Sequence, residues 1–355
     1  MTAVTAVVPT HNGGDRLLRT IDALERQTIR LTQIIVVDDA SDDGSVERLM
    51  QRSPRVCLVR LDANVGLSAA RNAGLRQAQT DLVLTVDHDI YLAPDCVQRL
   101  AQAREDRKAI AACPRIVLEP GGNIVQADGA EPHFVGTLAL RHGYQSASEL
   151  PSTESEWVAA VPGGCLLLQR IPVLEAGGFE ELIFFYFEDL ELSLRLRSLG
   201  YRFIVVPSAL AHHDRGPGVA GLTFRGEGSY PARRLQLTHR HRLFALLVHY
   251  RARTLLLLAP ALLAYELAGL GMAVGKGHGG EWVRAWRWQF HMRSAILDRR
   301  RRMQRQRSCP DRAILAGGPL PLAPGVARSE FARRAVQVFS SALNLYWRLV
   351  RRLIG

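Results

Sequence analysis

Two acidic stretches carry residue types that could do chemistry. Asp87-His88-Asp89 closes a run of apolar and β-branched residues, Leu82 to Val86, and Glu188-Asp189 follows four aromatics, Phe184 to Phe187. Two carboxylates one residue apart at the end of a buried strand offer hard oxygen ligands to a divalent cation and, through it, a place for a phosphate-bearing ligand. A carboxylate against an apolar, aromatic wall is destabilised in its charged form, which suits it to work as a general base. Plainer readings exist for both. Asp is common before helices, here one starting near Pro94, and acids at a helix N-terminus are favoured by its dipole.

Chemistry at these acids requires other polar residues to be brought to the same place. Val4–Val8, Gln33–Val37, Val56–Leu61 and Leu82–Val86 read as strands, alternating with helices over Asp15–Leu24, Gly44–Met50 and Leu67–Ala78. This rhythm predicts an α/β fold with a parallel sheet and helices on both faces. Such sheets bind ligands at the carboxyl ends of their strands. At those ends lie Pro9-Thr10-His11-Asn12-Gly13-Gly14, Asp38 to Gly44, Asn64-Val65-Gly66 and Asp87-His88-Asp89. Each alone is an ordinary turn; four at one edge are harder to dismiss. No G-x-G-x-x-G follows the first strand and no G-x-x-x-x-G-K-[ST] occurs, which argues against a Rossmann dinucleotide site and a P-loop.

Composition bounds the rest. The 355 residues, 47% of them hydrophobic, allow two units of ordinary size and exclude a disordered chain. The net charge of +11 is unevenly spread, at −8 over residues 1–214 and +19 over residues 215–355. An acidic front unit and a basic back unit with an anionic partner are expected. Five scattered cysteines without C-x-x-C spacing indicate neither zinc nor a disulfide framework, in keeping with a reducing cytosol. Thr2–Val8 lacks a basic leader and reads as a strand rather than a secretory signal.

In this order, Val7-Val8-Pro9-Thr10-His11-Asn12, Ile35 to Gly44, Asn64-Val65-Gly66-Leu67-Ser68-Ala69-Ala70-Arg71-Asn72-Ala73-Gly74 and Val86-Asp87-His88-Asp89 resemble the successive signatures of the family 2 inverting glycosyltransferases, over about the first 215 residues. The resemblance implies a GT-A-like, mostly parallel central sheet flanked by helices, and a nucleoside diphosphate sugar as donor. It implies that Pro9, Thr10 and Asn12 lie along the nucleotide, that Asp39 accepts a hydrogen bond from the base, and that Arg71 reaches the nucleotide from its helix. Gly66 would give the backbone close access, Asp87 would contact the ribose side, and Asp89 would ligate Mg²⁺ or Mn²⁺. Glu188-Asp189-Leu190-Glu191-Leu192-Ser193-Leu194-Arg195, stopped by Gly200, is similar to the family's acidic catalytic motif. By that match Asp189 is the general base, and Glu188 orients the acceptor or the base. Gly163 and Gly164 form a corner like the one that borders the acceptor. After a last strand, Tyr201–Val206, the His pair is often only a surface turn; in the family a His there completes the metal site, with His213 favoured and His212 the fallback.

Ile110–Cys113 and Ile116–Leu118 read as short strands after a helix over Asp95–Arg104, while Asn123 to Trp157 carries no motif and is expected to be loops or a hairpin on the acceptor side. Beyond Asp214 a basic helical region is expected. Its segment 254–274 is apolar apart from Glu266 and is long enough to span a bilayer. A single crossing would leave the tail of +13 after residue 275 on the side opposite a cytosolic front unit, against the positive-inside tendency, so re-entrant or interfacial attachment is expected. Trp282, Trp286 and Phe290, and Phe331, Ala335, Val338, Ala342, Leu345 and Leu349, recur at helical spacing amid arginines, as in helices that bind anionic membrane surfaces. Ala316–Gly325 reads as a linker. The Arg299–Arg302 run has no recognised nucleic-acid module around it.

The expected protein is therefore a catalytic unit over residues 1–214 with a basic, membrane-associated helical region over 215–355. It would pass a hexosyl or deoxyhexosyl group to a hydroxyl of a lipid-linked or cell-envelope glycan, at the cytoplasmic face of the membrane. Two alternatives are a sugar-phosphate nucleotidyltransferase, disfavoured because Pro9–Gly14 holds no Lys or Arg, and a non-catalytic membrane-bound adaptor. Oligomeric state is left open.

Overall fold

The structure, a computed structural model, describes residues 3–216, 231–322 and 329–354. Chain contacts divide it into two units. One comprises Met1–Ala130, Leu140–Leu196 and Tyr201–Asp214, the other Glu131–Ala139, Arg197–Gly200 and Arg215–Gly355.

The first unit opens with β1 (Val4–Thr10), α1 (Gly14–Glu25), β2 (Gln33–Asp38), α2 (Ser45–Arg52), β3 (Cys57–Arg60), α3 (Leu67–Gln77) and β4 (Leu82–Val86), the alternation that the apolar runs predict. The chain continues through β5 (Ile90–Leu92), α4 (Cys96–Arg107), β6 (Ala111–Leu118), β7 (Ile124–Ala127), β8 (Ala130–His133), β9 (Thr137–Leu140), β10 (Glu156–Val158), β11 (Cys165–Gln169), α5 (Arg170–Glu175), α6 (Glu188–Ser198) and β12 (Phe203–His213); β8 after Ala130, β9 up to Ala139 and the end of α6 from Arg197 belong to the second unit. The main sheet has the order β10-β12-β6-β11-β4-β1-β2-β3, with β5 and β7 added beside β12 and β6, while β8 and β9 form a separate ribbon. Pairs β1–β2, β1–β4, β2–β3 and β6–β12 are parallel; β11 runs antiparallel between β4 and β6. β10 and β5 are antiparallel to β12, and β7 is antiparallel to β6; the sheet is thus GT-A-like and flanked by helices, with β1, β2, β3, β4, β6 and β12 running in one direction and β5, β7, β10 and β11 opposed to them.

Strand period explains the core. Val4, Ala6 and Val8 of β1 join one apolar cluster with Leu17, Ile21 and Leu24 of α1, while Val7 joins the other with Ala70 and Leu75 of α3. Successive side chains of a central strand point to opposite faces, so a strand covered on both sides must be apolar throughout. α3 lies so close to the sheet that a Cβ on Gly74 would fall 2.2 Å from Val7 Cγ1.

Two boundaries differ from expectation. β6 is one strand through Pro114, not two. β11 pairs with it only at Ala111 and Ala112, and a register shift in β12 between Val206 and Leu210 lies opposite Pro114 and Arg115, where the missing proline N–H is accommodated. That irregularity also carries β12 past Pro207. Its second half pairs Leu210–His213 with Arg115–Leu118, so His213 stands on a strand and not in a surface turn.

In the second unit, helices α7 (Ala232–His249), α8 (Ala252–Gly275), α9 (Gly279–His291), α10 (Arg293–Gln306) and α11 (Glu330–Val350) follow one another. α7 packs on α9 and α10, and α8 on α9 and α11. Trp282 stacks on His239 of α7 with ring centroids 5.3 Å apart, and Trp286 lies 5.9 Å from Trp282. The aromatic stripe expected to meet a membrane on α9 is therefore turned inward at its first two positions, leaving Phe290 exposed. The linker expected over 316–325 is described only to residue 322; its end lies outside the described residues.

Candidate active site

The carboxyl edge of the sheet gathers the acids. Asp38 ends β2, and the Asp39 carboxylate accepts Val65 N–H (2.7 Å) through one oxygen and Gly66 N–H (2.9 Å) through the other. This fixes the loop after β3 against the loop after β2 and leaves each oxygen a lone pair for a further donor. Asn12, in the left-handed region at φ 53°, exchanges hydrogen bonds with Asp42, while its N–H reaches the Ser41 hydroxyl. Pro9 and Thr10 close β1, with the Thr10 hydroxyl oxygen buried and without a hydrogen-bond partner.

Gly66 answers to a close approach. It has φ 96°, and a Cβ there would fall 2.5 Å from both the ring and the carbonyl oxygen of Phe184. Leu67 N–H donates to that same carbonyl at 2.8 Å. Gly66→Ala is expected to destabilise the fold by about 2 kcal/mol or more, because it combines a strained φ with a backbone clash. A melting point lowered by ~5 °C in calorimetry is the predicted reading; an unchanged one would mean that the Phe184 segment is not seated on Gly66.

Arg71 is fully buried on α3. Its Nη2 donates to Asp87 (2.7 Å) and to the Gly163 carbonyl (2.8 Å), and its Nη1 donates to Glu188 (3.1 Å). A guanidinium engaged in this way is an internal strut rather than a group presented to a nucleotide, and in that respect the geometry departs from expectation. The reason is its place one turn inside α3, beneath Phe179, whose ring centroid is 5.1 Å from its guanidinium carbon.

The strut links both acidic motifs to the glycine corner. β11 runs antiparallel to β4 with Cys165 opposite Val86, which brings Gly163 and Gly164 to the carboxyl edge. Gly164 O accepts Asp87 N–H (2.9 Å), and Gly163 N–H donates to Asp189 Oδ2 (3.2 Å). A Cβ on Gly163 would lie 3.1 Å from both Asp189 Cβ and Glu188 Oε1. The Glu188 side chain keeps its second oxygen buried without a hydrogen-bond partner. Tyr186 and Phe187, just before α6, both have positive φ, 67° and 70°, a strained entry held by the packing around it.

Charge is tuned at three of these acids. Burial, followed by the charge of Glu188, pushes the Asp189 carboxyl up to about 7, against the pull of the Gly163 and Leu190 N–H groups. Burial also raises Asp87, to about 6, although Arg71 opposes it. Asp89 goes the other way: burial acts to raise it, but His213, together with His88 and Arg16, holds it well below the usual carboxylate range.

His213 Nε2 stands 3.4 Å from Asp89 Oδ1, and its Nδ1 lies 2.6 Å from Gln126 Oε1 on β7. With Nδ1–H donated to Gln126, a neutral ring would turn its Nε2 lone pair to a carboxylate oxygen, an arrangement suited to a cation shared between them. His212 instead meets Glu119 at 2.9 Å. No group of three or more His, Cys, Asp or Glu side chains that could hold a metal ion is found among the described residues. The pair therefore fits only a metal that takes its remaining ligands from a substrate, as Mg²⁺ does with phosphates.

Two supporting residues were not assigned from sequence. Gln126 lies in the motif-free span. Asn72 clamps Phe179 through its N–H (2.7 Å) and its carbonyl (2.8 Å), and so anchors the segment that leads to the aromatics.

Residues 5–145 match the family described as glycosyl transferase family 2, and residues 82–265 match glycosyl transferase family group 2. The N-acetylglucosaminyl-diphospho-decaprenol L-rhamnosyltransferase of Mycobacterium tuberculosis is 28% identical over 242 residues, 60% of this chain and 77% of that protein. Among solved structures, S. aureus TarS 1-349 in complex with UDP-GlcNAc superposes with a TM-score of 0.56 at 15% identity, over 98% of this chain and 92% of that one. GalNAc-T7 with UDP, GalNAc and Mn²⁺ also gives 0.56, at 18% identity, over 72% of this chain and 49% of the other.

Proposed function

Since the chain belongs to glycosyltransferase family 2 and is a glycosyltransferase, we propose that it moves a sugar, by one inverting displacement, from a nucleoside diphosphate donor to a hydroxyl of a lipid-linked or cell-envelope glycan. The observation that carries this reading is the continuity of the carboxyl edge. Asp189, the Gly163 corner, Arg71, Asp87 and Glu188 form one bonded cluster, and Asp89 lies two residues beyond Asp87.

Asp189 takes the proton of the acceptor hydroxyl as that oxygen attacks the anomeric carbon. Its raised pKa makes it a better base than an exposed carboxylate, yet leaves it largely ionised above neutrality. Glu188, tied to Arg71, orients the base and the acceptor, and Gly163 and Gly164 let the acceptor-side corner pack closely against these acids and Ile90. Asp39, Pro9, Thr10 and Asn12 line the nucleoside, Gly66 lets the Phe184 segment close against that loop, and Asp87 faces the ribose side. Asp89 and His213 would hold the divalent metal, Mg²⁺ or Mn²⁺, which would supply neutralisation of the diphosphate charge that grows as the glycosidic bond breaks. That GalNAc-T7 was solved with Mn²⁺ and UDP supports a metal here. The decaprenol-linked substrate in the rhamnosyltransferase's name supports a lipid-linked acceptor, and hence work at a membrane. The five free thiols fit its cytoplasmic side.

A panel of nucleotide sugars, offered with Mg²⁺ or Mn²⁺ and no acceptor, tests the reading. At least one should be hydrolysed slowly, at a rate that falls when metal is chelated. Binding of none, or release of pyrophosphate from a nucleoside triphosphate and a sugar phosphate, would replace transfer with another chemistry.

A further inference from the structure

The second unit carries two long apolar stripes that its own packing leaves open. α11 buries Ser340, Leu343 and Trp347, with Trp347 stacked on Phe134 at 5.0 Å. The stripe on its other side, Phe331, Ala335, Val338, Ala342, Leu345 and Leu349, is exposed throughout, with Phe331 at 83% and Leu345 at 60%. An amphipathic helix normally turns such a stripe into its own protein's core; here the packed face is a different one. α8 repeats the arrangement. It buries Thr254, Leu258, Ala261 and Ala273 and exposes Leu256 (76%), Leu263 (60%), Leu267 (59%) and Val274 (61%). The two helices are tied where the Tyr346 hydroxyl donates to the Leu257 carbonyl at 2.6 Å.

Charge is sorted around these stripes. Between Arg253 and Lys276 the only ionisable acid of α8 is Glu266, and it faces inward to Arg242 and, at 3.4 Å, to His239 of α7. The exposed stripe of α8 is thus uncharged along the helix and bounded by cations at both ends. Exposed Arg333, Arg334, Arg348, Arg351 and Arg352 border the stripe of α11.

We propose that α8 and α11 lie in the plane of an anionic bilayer surface, with Leu256, Leu263, Leu267, Val338, Leu345 and Leu349 entering the acyl boundary and the bordering arginines on the headgroup phosphates. This deepens the membrane association of the function proposed above and specifies its mode. α8 is long and apolar enough to cross a membrane by length and composition. Its inner side is nevertheless packed on α9 and α11 and tied through Glu266 to Arg242 and His239 of α7, and a crossing would take Glu266 and these partners into hydrocarbon. An interfacial position meets both requirements: apolar burial for the outer stripe, and protein on the inner face. A second copy of the chain is the competing occupant, but it would bring these arginine borders together, whereas an anionic surface attracts each of them.

The full chain, added from outside to sealed phosphatidylcholine vesicles with and without phosphatidylglycerol, provides the test. Flotation with the anionic vesicles, weakened by salt, is expected. Leu256→Glu with Leu263→Glu, or Val338→Glu with Leu345→Glu, should lower partitioning roughly tenfold or more. Arg348→Gln with Arg351→Gln and Arg352→Gln should lower it chiefly on anionic vesicles. Single cysteines replacing Arg253 and Lys276, in a Cys57→Ser/Cys309→Ser background, should both react with an impermeant maleimide added outside. Protection of one end shows a crossing and overturns the proposal. So does a lack of flotation, or a leucine variant that turns a solution dimer into a monomer while vesicle binding is unchanged. Donor hydrolysis measured on the same samples separates the readings: flotation without hydrolysis removes the enzymatic proposal alone, and hydrolysis without flotation removes this one alone.

Discussion

Asp189→Asn is expected to lower the rate of sugar transfer by about 10³-fold or more while nucleotide-sugar binding changes little. A positioned general base contributes 10² to 10⁴, or roughly 3–5 kcal/mol of barrier at 1.36 kcal/mol per tenfold. The amide is nearly isosteric, and its oxygen can keep one of the two N–H bonds that the carboxylate accepts from Gly163 and Leu190. The cost to folding should therefore be small beside the loss of chemistry, and a melting curve run in parallel separates the two. The wild-type pH profile gives a second reading. Because the proposed base must be ionised and its pKa in the free protein is raised to about 7, log(kcat/KM) should climb with unit slope from the acid side and level off above that pH. The acid limb should vanish from the residual activity of Asp189→Asn. Residual activity with the same limb would transfer the role to another group, Glu188 first. Unchanged turnover would remove Asp189 from the mechanism.

What the sequence made legible follows from the range of the interactions involved. The alternation of β1 to β4 with α1 to α3 could be read because both periods are local, and because a strand covered on both faces is apolar along its whole length. The resemblance placed Asp39, Asp87, Asp89 and Asp189 along the chain in family order, and β1, β2, β4 and β11 bring them to one edge. Less local features could not be read. Arg71 is nine residues from the nearest acid in sequence, Asp62, and only the fold reveals Asp87, Gly163 and Glu188 around it; a basic residue on a helix gives no sign that its charge is already engaged. Gln126 is invisible for the same reason, because its partner His213 arrives from 87 residues away. The end of β12 was hidden by Pro207, which reads as a strand breaker until the register shift beside it is seen.

The helices of the second unit teach a different lesson. The stripe on α11 was visible as periodicity, but periodicity does not say which side of a helix packs. Trp282 and Trp286 show the opposite outcome from Val338 and Leu345, although both stripes read alike. The deciding factor is a partner, His239 on α7, that no local pattern announces.

The second large effect is expected at Asp89. In the wild type, Mn²⁺ or Mg²⁺ should strengthen nucleotide-sugar binding by roughly tenfold or more, because a metal bound through one or two protein ligands is completed by the donor's phosphates. In Asp89→Ala that enhancement should vanish and transfer should fall by about 10²-fold or more, whereas Asp189→Asn should keep the metal dependence of binding. The difference is expected because a carboxylate attracts a cation by its formal charge, whereas an imidazole ligates it as a neutral lone pair. His213→Ala should therefore lose less, by roughly tenfold, since Asp89 remains to attract the cation. Titration calorimetry with a nucleoside diphosphate sugar, repeated with and without a chelator, reads all three variants without relying on turnover. Should Asp89→Ala bind donor as tightly as the wild type and remain sensitive to chelation, the metal is held elsewhere. The low pKa of Asp89 would then reflect only the nearby His213, His88 and Arg16, and the diphosphate would have to be neutralised by another part of the chain.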